Sequence, residues 1–232
     1  MVGLIQRVRR WWARRRGLPV QSIRGRNNQV KIGPARRLNL EIDIVGDDNQ
    51  IEIGAGAWLE QVTLRLRGSG QRVLIGENCR VSRSAMFWLE DEGATLEIGA
   101  GTTLVSAHIA VTEPHSQVRI GADCMLATDV EIRSGDSHAI YDGASGERIN
   151  PAQEVWLGEH VWIGARALVL KGAQIGDGSV VAAAAVVTGA ANEPQPGVIL
   201  AGNPARVVRQ NIRWTRERSI GHDNDQPAAA RN

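Results

Sequence analysis

Between Ser134 and Glu154 the chain runs through a polar stretch with one histidine, His138, that has Asp136 two residues before it and Asp142 four after. A neutral imidazole titrates near pH 6.5, so it can take a proton from a hydroxyl at neutral pH without being permanently charged. A carboxylate or backbone carbonyl on its second nitrogen would fix the tautomer and stabilise the imidazolium. Asn150 and Glu154 stand near the end of the stretch. These residue types suit general-base attack by a hydroxyl. Without a rigid support the same residues would be a solvated surface loop, so the frame around them decides.

That frame is a repeat. An aliphatic residue, a spacer, a second aliphatic residue and a glycine recur as VKIG at 30, IEIG at 51, VLIG at 73, LEIG at 96, VRIG at 118 and VWLG at 155. The first five glycines, Gly33, Gly54, Gly76, Gly99 and Gly121, are 21 to 23 residues apart. Further on, Leu157, Ile163, Val169, Ile175, Val181 and Val187 form an unbroken six-residue series. A period of six does not suit an amphipathic helix, whose apolar stripe recurs at three, four and seven. It suits short parallel strands of a solenoid whose anchors share one axis, three hexapeptides to a triangular coil. The longer units then carry extra residues bulging at a corner, such as RGSGQ near 67. Glycine after each anchor permits a corner conformation that a Cβ resists. The spacing from Gly121 to Gly158 is 37, and the excess is the histidine loop. A polar loop that interrupts a rigid body is where function concentrates.

Composition narrows the function classes. The first 40 residues hold 11 of the 27 Lys and Arg and no Asp or Glu, leaving 16 basic against 25 acidic residues, a balance of −9. A mildly acidic body argues against nucleic acid as a partner. The apolar runs are shorter than the about 20 residues a membrane span needs, and arginines interrupt the N-terminus where a secretory signal would be apolar. This reads as a cytoplasmic protein. Residues 1–19 are expected to form a basic amphipathic helix with Trp11 and Trp12, ended by Gly17 and Pro19. It suits either peripheral contact at the inner membrane face or a cap on the body or a neighbouring subunit. Residues 20–205 should form the solenoid with its loop at 134–154, and 206–232 a short helix around 207–218 and a disordered tail.

Cys79 and Cys124 each lie four residues after their anchors and two coils apart. Coils stack at about 4.8 Å, which places them roughly 9.6 Å apart, beyond the about 7 Å a disulfide spans. Both are expected to be reduced core residues. His108 and His115 read as structural or exposed, and no acidic cluster supports a metal site there. His160 faces outward and could line a groove. Trp162 directly precedes the anchor Ile163 and should face outward too, either toward a groove or into packing between coils.

The repeat resembles that of the left-handed β-helix (hexapeptide-repeat) acyltransferases. The stretches SGDSHAIYD, GERIN, LGEHVWIG, LVLKGAQIGDGSVVAAAAVVT and AGNPARVV resemble the branch that O-acetylates bacterial capsular polysaccharide, polysialic acid and related glycans. The resemblance is close over roughly 120–208 and supplies the handedness. It implies an all-β, left-handed parallel β-helix, a homotrimer with active sites between subunits, acetyl-CoA as acyl donor and a glycan acceptor. His138 matches the catalytic base and Trp162 a tryptophan that positions acetyl group and sulfur; Asp136, two residues before the histidine, is the candidate catalytic carboxylate from spacing, not from the resemblance. By position, Ala165 and Ala183 meet the pantetheine amides, and Lys171 and Arg206 the CoA phosphates or adenine unless they are merely solvated. A small-molecule acceptor and a non-catalytic scaffold are the competing readings.

Overall fold

The computed structural model describes residues 20–189 and 194–217. The expected N-terminal helix and the tail beyond 217 lie outside them. The described residues form a parallel β-solenoid of 22 strands, without an α-helix.

The first face of the prism carries the glycine-ended repeat. Gln29–Ile32, Gln50–Ile53, Arg72–Ile75, Thr95–Ile98, Gln117–Ile120, Val155–Leu157 and Gln174–Ile175 form a seven-stranded sheet. Its anchors Ile32, Ile53, Ile75, Ile98, Ile120, Leu157 and Ile175 stack in register. The other two faces form one fifteen-stranded sheet. They are continuous because Arg80–Glu90 and Thr103–Val111 bend from the second face onto the third without a break.

The extra residues of the longer coils do not simply bulge at a corner. They also lengthen the third face. Val62–Arg67 places Val62, Leu64 and Leu66 inward, and the next coils repeat this with Ala85, Phe87 and Leu89, then Ala107, Ile109 and Val111. Two added residues preserve the inward–outward alternation of a strand, so each pair contributes one more core side chain. In the strict hexapeptides the third face shrinks to Leu168–Val169, with Val169 inward. The column Leu64, Phe87, Ile109, Ile132, Val169 and Val187 runs through both halves. The column Ile44, Leu66, Leu89 and Val111 belongs to the wide coils alone. Below Val111 the buried polar residues Thr112, Ser116 and Ser134 close its end. The Ser134 hydroxyl accepts from Thr112 N at 3.0 Å and lies 3.1 Å from Ser116 Oγ. The histidine loop leaves the prism at this point.

The repeat glycines also have a different reason from the expected one. Gly54, Gly99 and Gly164 do not adopt positive φ. A Cβ on each would come within 2.5, 2.4 and 2.5 Å of the next coil's backbone, so glycine here allows close stacking. Positive φ falls two residues later at the same corner, on Gly56, Asn78, Gly101, Asp123, His160 and Gly178. Asn, Asp and Gly tolerate that left-handed conformation best. Cys79 and Cys124 are free and buried, and burial pushes both thiols up to about 11.

At the C-terminus a helix was expected around 207–218. Instead Ala205–Arg209 is a strand antiparallel to Ile199–Gly202. Unpaired strand edges at the solenoid's end favour a closing hairpin over a helix that would leave them open.

Candidate active site

The loop joins the third face to the first and stays at the edge between them. Its two ends are tied where Gln153 N donates to Ser134 O at 2.9 Å. Three further ties follow. Lys171 Nζ reaches Asp136 Oδ2 at 2.5 Å and Asn150 O at 3.1 Å. Arg148 grips Glu113 with both Nη atoms, at 2.9 and 2.5 Å. Buried Asn150 donates from Nδ2 to Asp136 Oδ2 at 2.9 Å and His138 O at 2.8 Å, while its Oδ1 accepts from Ile140 N at 2.6 Å. The hydrogen bond from Lys171 holds the Asp136 carboxyl below its ordinary value, and that from Arg148 does the same for Glu113.

Asp136 therefore does not grip the His138 ring. It holds Asn150, which holds the His138 backbone. Ser137, in the left-handed region at φ 66°, sets the turn and accepts from Arg133 Nη2 at 2.8 Å. The His138 side chain is exposed, and among the described residues nothing hydrogen-bonds or ion-pairs with it. The backbone is fixed and the imidazole is available.

Trp162 lies on the second face, opposite the edge that carries the loop, and is 37% exposed. It pairs in register with Met125 above and Val180 below. Beyond its strand the corner of Ala165 stacks on that of Ala183, where Ala184 N donates to Ala165 O at 2.9 Å. Arg206 sits exposed on the terminal hairpin, its Nη1 donating back to Ala205 O at 2.9 Å. The expected site residues thus form two groups on one chain. His138, Asp136 and Lys171 share one edge; Trp162, Ala165 and Ala183 share the opposite side, with Arg206 below. Lys171, expected at the CoA phosphates, is committed to the loop.

Sequence reasoning missed a strap. After the terminal hairpin the chain turns back along the edge between the first and second faces. Ile212 N donates to Gly197 O at 2.9 Å. Trp214 stacks on His160 with ring centroids 4.0 Å apart, and its Nε1 donates to His160 O at 3.0 Å. His160 Nδ1 lies 2.6 Å from Asp123 Oδ2 and Nε2 lies 3.2 Å from Trp214 O. Arg216 donates to Asp123 Oδ1 at 2.7 Å, Cys124 O at 2.8 Å and Thr103 Oγ1 at 2.9 Å. Burial pushes the Asp123 carboxyl up, but hydrogen bonds from His160 and Arg216 outweigh it and leave the group below its ordinary value. Trp214 also flanks Trp162, centroids 5.9 Å apart at 48°. No periodicity marks residues 210–217, so only the folded chain shows this contact. Glu113 and Arg148 were likewise missed, being 35 residues apart.

A groove of about 460 Å³ runs over Thr63, Met86, His108 and Glu131 on the third face. Burial lowers the His108 imidazole's proton affinity. Arg133 links the groove to the loop by donating to Glu131 Oε1 at 3.0 Å as well as to Ser137.

Comparison with known proteins places this geometry. Residues 154–189 match the family described as bacterial transferase hexapeptide, six repeats. A polysialic acid O-acetyltransferase of Neisseria meningitidis is 33% identical over 202 residues, which is 87% of this chain and 92% of the relative. The crystal structure of the polysialic acid O-acetyltransferase OatWY superimposes with a TM-score of 0.81 at 30% identity, covering 91% of this chain and 98% of that one. That of the polysialic acid-specific acetyltransferase NeuO gives 0.76 at 27%, covering 90% and 87%. The solenoid is the left-handed parallel β-helix of these enzymes, and the chain belongs to the hexapeptide-repeat acyltransferases, in the branch of the polysialic acid O-acetyltransferases.

Proposed function

We propose that the protein transfers the acetyl group of acetyl-CoA to a sugar hydroxyl of an acidic bacterial polysaccharide of the polysialic acid kind, in sites shared between the subunits of a homotrimer. The observation that carries the reading is the division of the site residues. The base and the thioester side lie on opposite sides of one prism, so they meet where two copies adjoin. The loop supports this, because Ile140, Tyr141 and Ile149 are 53%, 62% and 61% exposed on it. Such apolar residues side by side suit burial against a neighbour.

The acceptor hydroxyl approaches His138 of one subunit while the thioester lies against Trp162 of the next. His138 takes the hydroxyl proton as the oxygen attacks the acetyl carbonyl. The new C–O bond forms, the C–S bond breaks, and CoA leaves as a thiolate that recovers the proton from the imidazolium. The indole N–H of Trp162 orients the acetyl group and sulfur. Small side chains at Ala165 and Ala183 leave the backbone open to the pantetheine amides, and Arg206 is placed for the phosphates. Lys171 and Asp136 hold the loop. No acyl-enzyme forms, since both cysteines are buried away from the loop.

The test is thiol release from acetyl-CoA with polysialic acid as acceptor. His138→Ala should slow it by about 10² to 10⁴, the usual weight of a general base. Full activity in that variant overturns the base. Turnover with free sugars or small amines but not polymer favours a small-molecule acceptor, and no turnover with no CoA binding favours a scaffold. Mixing His138→Ala with Trp162→Ala chains through refolding should restore part of the activity. Two inactive parents that never complement would place the site within one subunit.

A further inference from the structure

The outward row of the second face continues above Trp162. Arg36, Trp58, Arg80, Thr103, Met125 and Trp162 lie in register, one on each successive coil. The guanidinium carbons of Arg36 and Arg80 stand 4.3 and 4.1 Å from the centroid of the Trp58 ring, reaching it from the coils on either side. Both arginines are exposed, and neither makes a side-chain hydrogen bond or ion pair among the described residues. At coil spacing, Arg80 is about 14 Å and Arg36 about 24 Å from the row position of Trp162.

Two like charges held close together cost energy unless an anion accompanies them. A cation over an aromatic face is attracted to the ring quadrupole, which removes part of the freedom an arginine would otherwise lose on binding. The edges of the guanidinium groups carry N–H donors in a fork that matches a carboxylate. The row therefore presents two preordered, unneutralised anion-binding forks. Its direction gives it a role. From Trp162 the alanine corners 165 and 183 run toward the C-terminus, so the donor occupies that side and the row above Trp162 is left for the acceptor.

We propose that Arg36 and Arg80, seated on Trp58, form a remote acceptor subsite that binds carboxylates of an acidic glycan well away from the reacting hydroxyl. This rests on the proposed acetyl transfer to such a glycan. The subsite makes the enzyme prefer long anionic chains over short ones, because a short acceptor engages Trp162 and His138 without reaching the arginines. Its contribution weakens as salt screens the charges.

Two measurements test it. Binding of fluorescently labelled long-chain polysialic acid is followed by anisotropy, with labelled dextran as the uncharged control. Steady-state kinetics are then run with long and short sialic acid oligomers. Each of Arg36→Ala and Arg80→Ala should weaken long-chain binding and raise its KM by about tenfold, the usual scale for a lost charge-assisted bond. The double variant should lose most of the salt dependence. The KM for acetyl-CoA, turnover of the short oligomer and the melting temperature should stay as in the parent, and Arg72→Ala on the first face should change nothing. Unchanged long-chain binding in the double variant overturns the subsite, as does a parent that binds polysialic acid no better than dextran. A parallel rise in KM for the short oligomer and acetyl-CoA also overturns it, because it marks general damage. If the polymer binds through the arginines yet accepts no acetyl, the subsite stands and the proposed reaction falls.

Discussion

The coils before the loop and those after it are the same three-sided unit at two widths. Before it, the third face carries three inward side chains, as Ala85, Phe87 and Leu89 do; after it two remain, as Ala167 and Val169 do. A strand can widen only by pairs of residues without turning its core face outward. The wide coils gain a column of core and a broad third face. The narrow coils keep small side chains and close-packed corners such as Ala165 and Ala183. The loop with His138 departs at the step between the two widths, where a terminated column is closed by Ser134 and its hydroxyl partners.

Substitutions at matched positions separate the two widths. The largest effect expected is from Phe87→Ala, which empties the wide core and should cost about 3 to 5 kcal/mol in denaturant unfolding. A loss below about 1 kcal/mol would mean the wide coils are not packed as a core. Next comes insertion into one column at two heights. Val169→Phe in the narrow half should destabilise by about 1 to 3 kcal/mol or more, and Ile109→Phe beside Phe87 by less. Equal losses would remove width as the difference between the halves.

A smaller effect tests the strap against the narrow half. Trp214→Ala should raise the acetyl-CoA KM about 3- to 10-fold, the scale of one lost aromatic contact, with kcat little changed. Trp214→Phe should restore most of it. An unaltered KM would leave the strap a structural tie alone. The smallest effect on stability is from Lys171→Met, within about 1 kcal/mol for a partly exposed ion pair. Protease cleavage within 134–154 should nevertheless accelerate. The pH dependence has a definite sign. Asp136 and Glu113 have carboxyls held below their ordinary values, so the ties they make are complete above about pH 4 and are lost only as pH falls further through the depressed values. The parent loop should resist protease at pH 5 and yield near pH 3. Cleavage that begins at pH 6 would mean that other groups hold it.

The repeat was legible because each anchor is marked by its own neighbours: aliphatic, spacer, aliphatic, glycine. His138 stood out for the same reason, as a polar interruption of a pattern that otherwise holds. Other features were legible in part. The alanine corners and Trp162 could be placed by counting from anchors, yet the glycines were assigned to φ when close approach of the next coil requires them. The family resemblance put Lys171 at the CoA phosphates, and nothing nearby in the chain shows that Asp136, 35 residues earlier, occupies its ammonium.

Residue spacing alone specifies the solenoid, the row of anchors along its axis, the place where the loop leaves it and the reduced state of the cysteines. All of these follow from spacing along a chain whose coils repeat. It takes the folded chain to show that the longer coils widen the third face, that His138 and Trp162 lie on opposite sides of one prism, and that residues 212–216 return as a strap to Asp123 and His160. These depend on which edge a residue reaches after a full turn and on side chains that meet across 35 to 113 positions. Local periodicity carries no record of such contacts.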